Sequence, residues 1–229
     1  MEGTDRTAMT DTWLKKHRLI YLGATRHPFI LCIRDGSVNL SSFKRWLGQD
    51  YIFVRAFVPF AASVLLKAWK ESDDNADVDV ILAGLAALND EIAWFKTEAS
   101  KWGVALESVV PQKVNLDYCR FVILSLLESL TSPEVDYTEA ITSFWAIETV
   151  YQESFAHCLE EGSKTPESLK QTCHRWGNDG FRQYCRALKS IADRRLEKAS
   201  DDKVAKYEVN LLGILEHEVE FWNMSRGTV

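Results

Sequence analysis

Proline and glycine are scarce in this sequence, 5 and 11 of 229 residues, so little in it interrupts long helices. Basic residues are not in excess either. With 27 Lys+Arg against 33 Asp+Glu the formal charge is −6, which argues against a protein whose business is gripping nucleic acid or an anionic membrane surface. The five cysteines (Cys32, Cys119, Cys158, Cys173 and Cys185) are odd in number and show no CxxC spacing. Neither a disulfide framework nor a zinc ribbon follows, and reduced thiols in a cytoplasmic protein are expected. Met1 to Thr10 is polar with no apolar core, and the longest uncharged run, Ala56 to Leu66, is 11 residues containing Pro59. Neither a signal peptide nor a spanning helix is expected.

Chemical motifs are missing as well. There is no Walker-type or GxGxxG spacing, and Gly177 with Gly180 is too little for a phosphate loop. A di-iron bundle needs Glu-x-x-His pairs, and none of the five histidines has a Glu three residues before it. Haem would need a ligand such as His17, but a lone helical histidine is more often a satisfied or surface residue, and His27-Pro28 reads as a turn. No metal and no cofactor are expected.

What is present is a hydrophobic fraction of 46% carrying 8 Trp, 7 Tyr and 11 Phe, enough for a substantial core. Its apolar residues recur at helical spacing. Helices are predicted over Asp11 to Ala24, over Ser41 to Lys70, kinked or divided at Pro59, and over Asp77 to Trp102 closed by Gly103. Further helices run from Asn115 to about Thr131, where Thr131-Ser132-Pro133 stops the pattern, and from Asp136 to Gly162. Asp136 with Glu139 makes a capping-box-like start. Pro166 opens the next, Gly177-Asn178-Asp179 is a break and a cap, and the last two divide near Ser200-Asp201. His27 to Arg34 reads as a short turn of structure and Val104 to Pro111 as extended. The expected architecture is a single all-α domain over 1–229, of eight or nine helices, with 1–9 a flexible N-terminus.

Helical phase exposes an anomaly. Asp50 lies one turn from Trp46, Leu47, Phe53 and Val54, on the apolar stripe of its helix. Glu148 falls in the row Ile141, Phe144, Trp145, Tyr151, Phe155, and Glu218 in the row Leu211, Ile214, Leu215, Phe221, Trp222. An inward carboxylate is costly to ionise and needs either a structural partner or a function. Three of them among aromatics point to a shared polar pocket, the form of a small-molecule site.

The run His27-Pro28-Phe29 to Gly36, followed by Phe43-Lys44-Arg45-Trp46-Leu47-Gly48-Gln49-Asp50, resembles the opening of the TenA (thiaminase II) family. The resemblance continues through Tyr118, Phe144-Trp145 and Trp176 to Gln183, and into Glu218-Val219-Glu220-Phe221-Trp222. It implies a haem-oxygenase-like multi-helical bundle without haem. It also implies hydrolysis of thiamin-derived pyrimidines, yielding 4-amino-5-hydroxymethyl-2-methylpyrimidine for thiamin salvage. Asp50 matches the acid that grips the aminopyrimidine edge, Tyr118 a pocket tyrosine, and Glu218 the acid/base glutamate. Trp46, Phe53, Trp176 and Phe221 match positions that wall the pocket, although the family often has Tyr at the first three.

At the position of the family's nucleophilic cysteine the sequence has Ser143, with Glu148 five residues on. This resembles the TenA-E branch, mainly of plants, in which a glutamate takes over the cysteine's work. A serine without a histidine base is a poor nucleophile, so Glu148 and Glu218 are expected to share base and acid roles, with Asp50, Tyr118, Trp46, Phe53, Tyr151, Trp176, Phe221 and Ser143 holding substrate. An aminopyrimidine aminohydrolase, also deformylating the N-formyl compound, is the expected enzyme. A non-catalytic hydroxymethylpyrimidine-binding protein is the alternative, and a helical interaction module a third reading, which requires the three acids to be exposed. The resemblance also implies a homo-oligomer, with a homodimer favoured.

Overall fold

The computed structural model describes the backbone of residues 7–131 and 136–227 and the side chains of 7–122 and 136–227. Among the described residues there are ten α-helices and no strand: α1 (Met9–Lys16), α2 (Arg18–Thr25), α3 (Pro28–Asp35), α4 (Leu40–Glu71), α5 (Asn75–Trp102), α6 (Lys113–Thr131), α7 (Tyr137–His157), α8 (Glu167–Gly177), α9 (Asp179–Leu196) and α10 (Asp201–Arg226). The segment expected to be extended, Val104 to Pro111, instead contains a 3-10 turn at Leu106–Ser108. The expected stop after Thr131 lies outside the described residues. So does 1–6 of the expected flexible N-terminus, whereas Met9 already belongs to α1.

Local chemistry sets most boundaries. Asp136 accepts from the Glu139 amide at the start of α7, Asn178 from the Phe181 amide at the start of α9, and Gly103 closes α5 at φ 66°, as the sequence predicts. Two readings are corrected. The first predicted helix divides at His17 into α1 and α2. The expected turn at His27 is instead the cap of a helix, because Nδ1 of His27 accepts from the Phe29 amide while Pro28 needs no partner for its missing N–H.

Helix α4 packs against α5, α6, α7 and α10, and α7 against α4, α8, α9 and α10. These two helices form the centre. All residues of α7 from Tyr137 to Ile147 are buried, polar ones included, the signature of a helix enclosed on every side. Helix α4 is long and apolar enough to cross a membrane by length and composition, with 44% of its apolar window buried against the rest of the protein. Pro59 sits inside α4 without ending it. At the far end of α7, Gly177 brings α8 so close that an added Cβ would lie 2.8 Å from the Ala156 amide nitrogen. That approach stacks Trp176 on Phe155, with centroids 4.9 Å apart.

Candidate active site

Asp50 is positioned by its neighbour. Gln49 accepts from the Gln112 amide at 3.0 Å, donates to the Val110 carbonyl at 2.8 Å, and its side-chain oxygen and main-chain carbonyl both accept from Asn115. These bonds clamp the segment leading into α6 onto α4, so that Asp50, on the same turn, faces inward. It is 0% exposed. From α7, Tyr151 donates to Asp50 Oδ1 at 2.6 Å. Oδ2 of Asp50 has no hydrogen-bond partner.

Asp50 opens on a cavity lined also by Phe53, Val54 and Phe57 of α4, Leu88 and Glu91 of α5, Ile147, Glu148 and Tyr151 of α7, and Trp176 of α8. Its enclosed space is about 20 Å³, room for a water molecule but not for an aromatic ring, whose entry requires side chains to swing aside. A second cavity of about 300 Å³ lies beyond, sharing Leu88, Glu91 and Glu148 with the first. The roomier clefts, about 430 and 440 Å³, lie elsewhere and are edged by surface charges such as Asp11, Lys189, Asp136 and Lys203 that already hold partners. The candidate site is therefore the smaller cavity, where the fully buried Asp50 keeps a carboxyl oxygen without a partner.

Of the residues the sequence singled out, the structure brings Asp50, Phe53, Glu148, Tyr151 and Trp176 to this cavity. Others stand behind its wall. Trp46 meets Trp176 edge to face at 5.9 Å, Tyr118 stacks on Phe53 at 4.7 Å, and Phe221 packs against Phe53 and Tyr118. Glu218 is 0% exposed and accepts from the Tyr118 hydroxyl at 2.6 Å, with Oε2 unpartnered, but it does not line the cavity. Ser143 is a correction. Its hydroxyl donates to the Glu139 carbonyl and accepts from Asn210, and the cavity-facing residue one turn before Tyr151 is Ile147, which offers no nucleophile. The interaction-module reading falls too, because Asp50 and Glu218 are fully buried.

A fourth acid escaped the sequence reading. Glu91 lies on the cavity face of α5 with its carboxylate 3.7 Å from Arg175, whose guanidinium rests over Trp94 and Trp176. The signal was available, since Glu91 is three residues after Leu88 and four before Phe95, on the apolar row of its helix.

Four carboxylates with one nearby guanidinium cannot all ionise easily. Burial raises the Asp50 pKa, and the charges of Glu91 and Glu218 add to the rise against the Tyr151 hydrogen bond. Burial likewise raises Glu148, with Glu91 and Glu218 adding to it. Glu91 is pushed up to about 7 by burial, with Arg175 and Trp176 pulling it back. Burial takes Glu218 to about 8 despite the Tyr118 hydrogen bond. With Glu91 near 7 and Glu218 near 8, one carboxyl is partly ionised and another largely protonated near neutral pH, the condition for pairing a base with an acid in one site. Cys119, near Asp50, is pushed up to about 11 by burial and that charge, so it is a neutral thiol. Among the described residues no group of three His, Cys, Asp or Glu side chains is arranged to hold a metal ion.

A Glycine max protein named "probable bifunctional TENA-E protein" is 67% identical over 224 residues, covering 98% of this chain and 96% of its own. An aminopyrimidine aminohydrolase of Halalkalibacterium halodurans is 22% identical over 222 residues, 92% of each chain. Among solved structures, a TenA homologue from Pyrococcus furiosus superposes with a TM-score of 0.81 at 17% identity, covering 95% of this chain and 99% of its own. A TenA family transcription regulator from Silicibacter sp. TM1040 gives 0.82 at 20% identity, over 95% and 96%. These likenesses show the all-α, haem-oxygenase-like fold. The TENA/THI-4/PQQC family model matches residues 14–228, and the chain belongs to that family.

Proposed function

We propose that the protein is a metal-free hydrolase of thiamin-derived pyrimidines that cleaves a C–N bond and releases 4-amino-5-hydroxymethyl-2-methylpyrimidine or its amino precursor. The observation that carries this reading is the unpartnered Oδ2 of Asp50, held by Tyr151 through Oδ1, at the inner end of an aromatic cavity that also contains Glu148. An acceptor oxygen fixed in this way suits the 4-amino group of a pyrimidine, and Phe53 and Trp176 offer faces to a flat ring.

Glu148 then lies where the ring's substituent projects. Its ionised form takes a proton from water, which attacks the methylene carbon of an aminomethyl compound or the carbonyl carbon of its N-formyl derivative. A protonated carboxyl returns a proton to the departing nitrogen or to the ring, which balances the step. Glu218, still protonated at neutral pH, is the donor in this reading, and because it stands behind the wall formed by Phe53 and Tyr118 it reaches the substrate only once those side chains swing aside. With no cysteine or serine facing the cavity, covalent displacement on thiamin itself is disfavoured.

The test is an assay of purified protein on thiamin, the aminomethyl pyrimidine and its N-formyl derivative. Release of product from the last two supports the reading, and activity on thiamin alone contradicts it. One observation favours a second reading, a hydroxymethylpyrimidine-binding protein without chemistry: Glu218 is spent on Tyr118 and stands off the cavity. Tight binding of the product with no turnover of any substrate would identify that case.

A further inference from the structure

Besides Asp50, the cavity is lined by two carboxyls, Glu91 of α5 and Glu148 of α7, whereas Glu218 is not among its walls. Their surroundings differ. Glu91 has the Arg175 guanidinium of α8 at 3.7 Å, while Glu148 is acted on by burial and by the charges of Glu91 and Glu218, all of which oppose its ionisation. A single negative charge on the pair therefore rests mainly on Glu91, beside its cation, and the first proton leaves near pH 7. A second ionisation would place two like charges in one small enclosed space, so above that pH the pair still holds one proton. The groups around the pair leave it that proton. Tyr184 and Cys185 of α9 are kept neutral by burial and by the charge of Glu148, Asp50 of α4 and Glu218 of α10 are themselves raised by burial, and Asp90 of α5 acts on Arg175, helping to keep it charged.

We propose that Glu91 is a catalytic acid, sharing one proton with Glu148, and that it protonates the departing nitrogen. The proposal rests on the reading that the pyrimidine ring binds at Asp50. The reactive arrangement has Glu148 ionised and Glu91 protonated, and the cavity's enclosed space of about 20 Å³ is room for a water that carries the proton from one to the other. On the N-formyl substrate, Glu148 takes a proton from the attacking water as its oxygen bonds to the formyl carbon, and the carbonyl electron pair moves onto oxygen. The C–N bond then breaks, its electron pair goes to nitrogen, and Glu91 gives that nitrogen the proton which makes it an amine, while the carbonyl re-forms as formic acid. The proton now on Glu148 returns to Glu91 and resets the pair without loss or gain. Glu91 already stands in the cavity, so this transfer needs no opening of the Phe53 and Tyr118 wall, and Glu218 is left to the ring.

Glu91→Gln keeps the size of the side chain and removes the proton it would give. Its kcat on the N-formyl pyrimidine should fall about 10²-fold or more, with calorimetric affinity for the hydroxymethylpyrimidine product within about threefold of wild type. A Glu91 that served only to neutralise Arg175 would not set a pH profile, so the second readout is kcat/KM against pH. The wild-type value should fall below about pH 7, where the pair takes up a second proton and Glu148 ceases to be a base. Arg175→Gln removes the cation that favours the ionised pair and should move this acidic limb upward by about one unit. Turnover by Glu91→Gln within about threefold of wild type, or an acidic limb that stays in place in Arg175→Gln, would overturn the proposal. If Glu91→Gln also loses the product, and so reports a damaged fold, the limb in Arg175→Gln decides alone. A wild-type protein that neither binds the product nor acts on the N-formyl compound would remove the ring site at Asp50 and the shared proton with it, a failure seen before any variant is made.

Discussion

Tyr151 and Asp50 share a hydrogen bond of 2.6 Å that uses one carboxyl oxygen of the aspartate and leaves the other bare. The two residues come from different helices, α7 and α4, and the bond fixes an acceptor at the inner end of the cavity. Asp50→Asn replaces that acceptor with a group that can present an amide N–H instead. Affinity for the hydroxymethylpyrimidine should fall by about tenfold or more, in line with the roughly 1–3 kcal/mol lost when a buried polar group is left without its partner. Tyr151→Phe keeps the acceptor but frees its orientation, and calorimetry should show a smaller loss. Equal affinity in the Asn variant would remove Asp50 from ring recognition.

Glu218 ties stability to pH. Its pKa is about 8 in the folded protein against an ordinary 4.5, so between those values the folded state keeps a proton that the unfolded chain has released. Its contribution is complete below the unfolded value and is lost as pH rises through about 8. Asp50 and Glu148 act in the same direction. The melting temperature should therefore be several degrees higher near pH 5.5 than near pH 8.5. Glu218→Gln, which can still accept from Tyr118, should narrow that gap. A gap unchanged in the variant would mean that Glu218 ionises freely.

Arg175 has a related role. Stacked over Trp94 and Trp176 and beside Glu91, it holds the Glu91 pKa down near 7 against burial. Arg175→Gln removes that restraint, so the folded pKa of Glu91 rises further and more stability is lost on the alkaline side. Thermal denaturation should show a larger loss at pH 8 than at pH 5.5. Equal losses would indicate that Arg175 matters only as packing against the two tryptophans.

Ser143 stands aside from the cavity with its hydroxyl engaged at both ends. Ser143→Ala should leave kcat/KM within about twofold and lower stability by about 1 kcal/mol for the lost hydrogen bonds. A fall in kcat of a hundredfold would restore serine as nucleophile.

The same helical phase that made Asp50, Glu148 and Glu218 conspicuous was also sufficient to find Glu91. Glu91 adjoins Asp90, and two successive acids resemble the charged pairs of a solvated helix face. Phase says which way a side chain points along its own helix but not how far it sits from residues on other helices. Hence Glu218 is inward, as expected, yet lies behind the cavity. Ser143 shows the opposite error: a position assigned by family likeness, four residues from the cavity-facing Ile147 and turned to α10 through Asn210. Tyr184 was invisible for a third reason. Its hydroxyl is seated on Gly84, one hundred positions earlier in the chain, and only packing of α5 on α9 brings them together. The long helices and their caps were readable because their signals are local, whereas the break at His17 and the helix after His27 depend on contacts with α10, through Glu208 and Asn223.

The role of Glu148 bears most directly on the proposed chemistry. Glu148→Gln keeps the size of the side chain and removes its ability to take a proton from water, so steady-state kinetics on the N-formyl and aminomethyl pyrimidines should show kcat reduced about 10²–10⁴-fold. Calorimetry should show product affinity largely retained. Near-wild-type turnover in this variant, with product affinity intact, would contradict catalysis by Glu148.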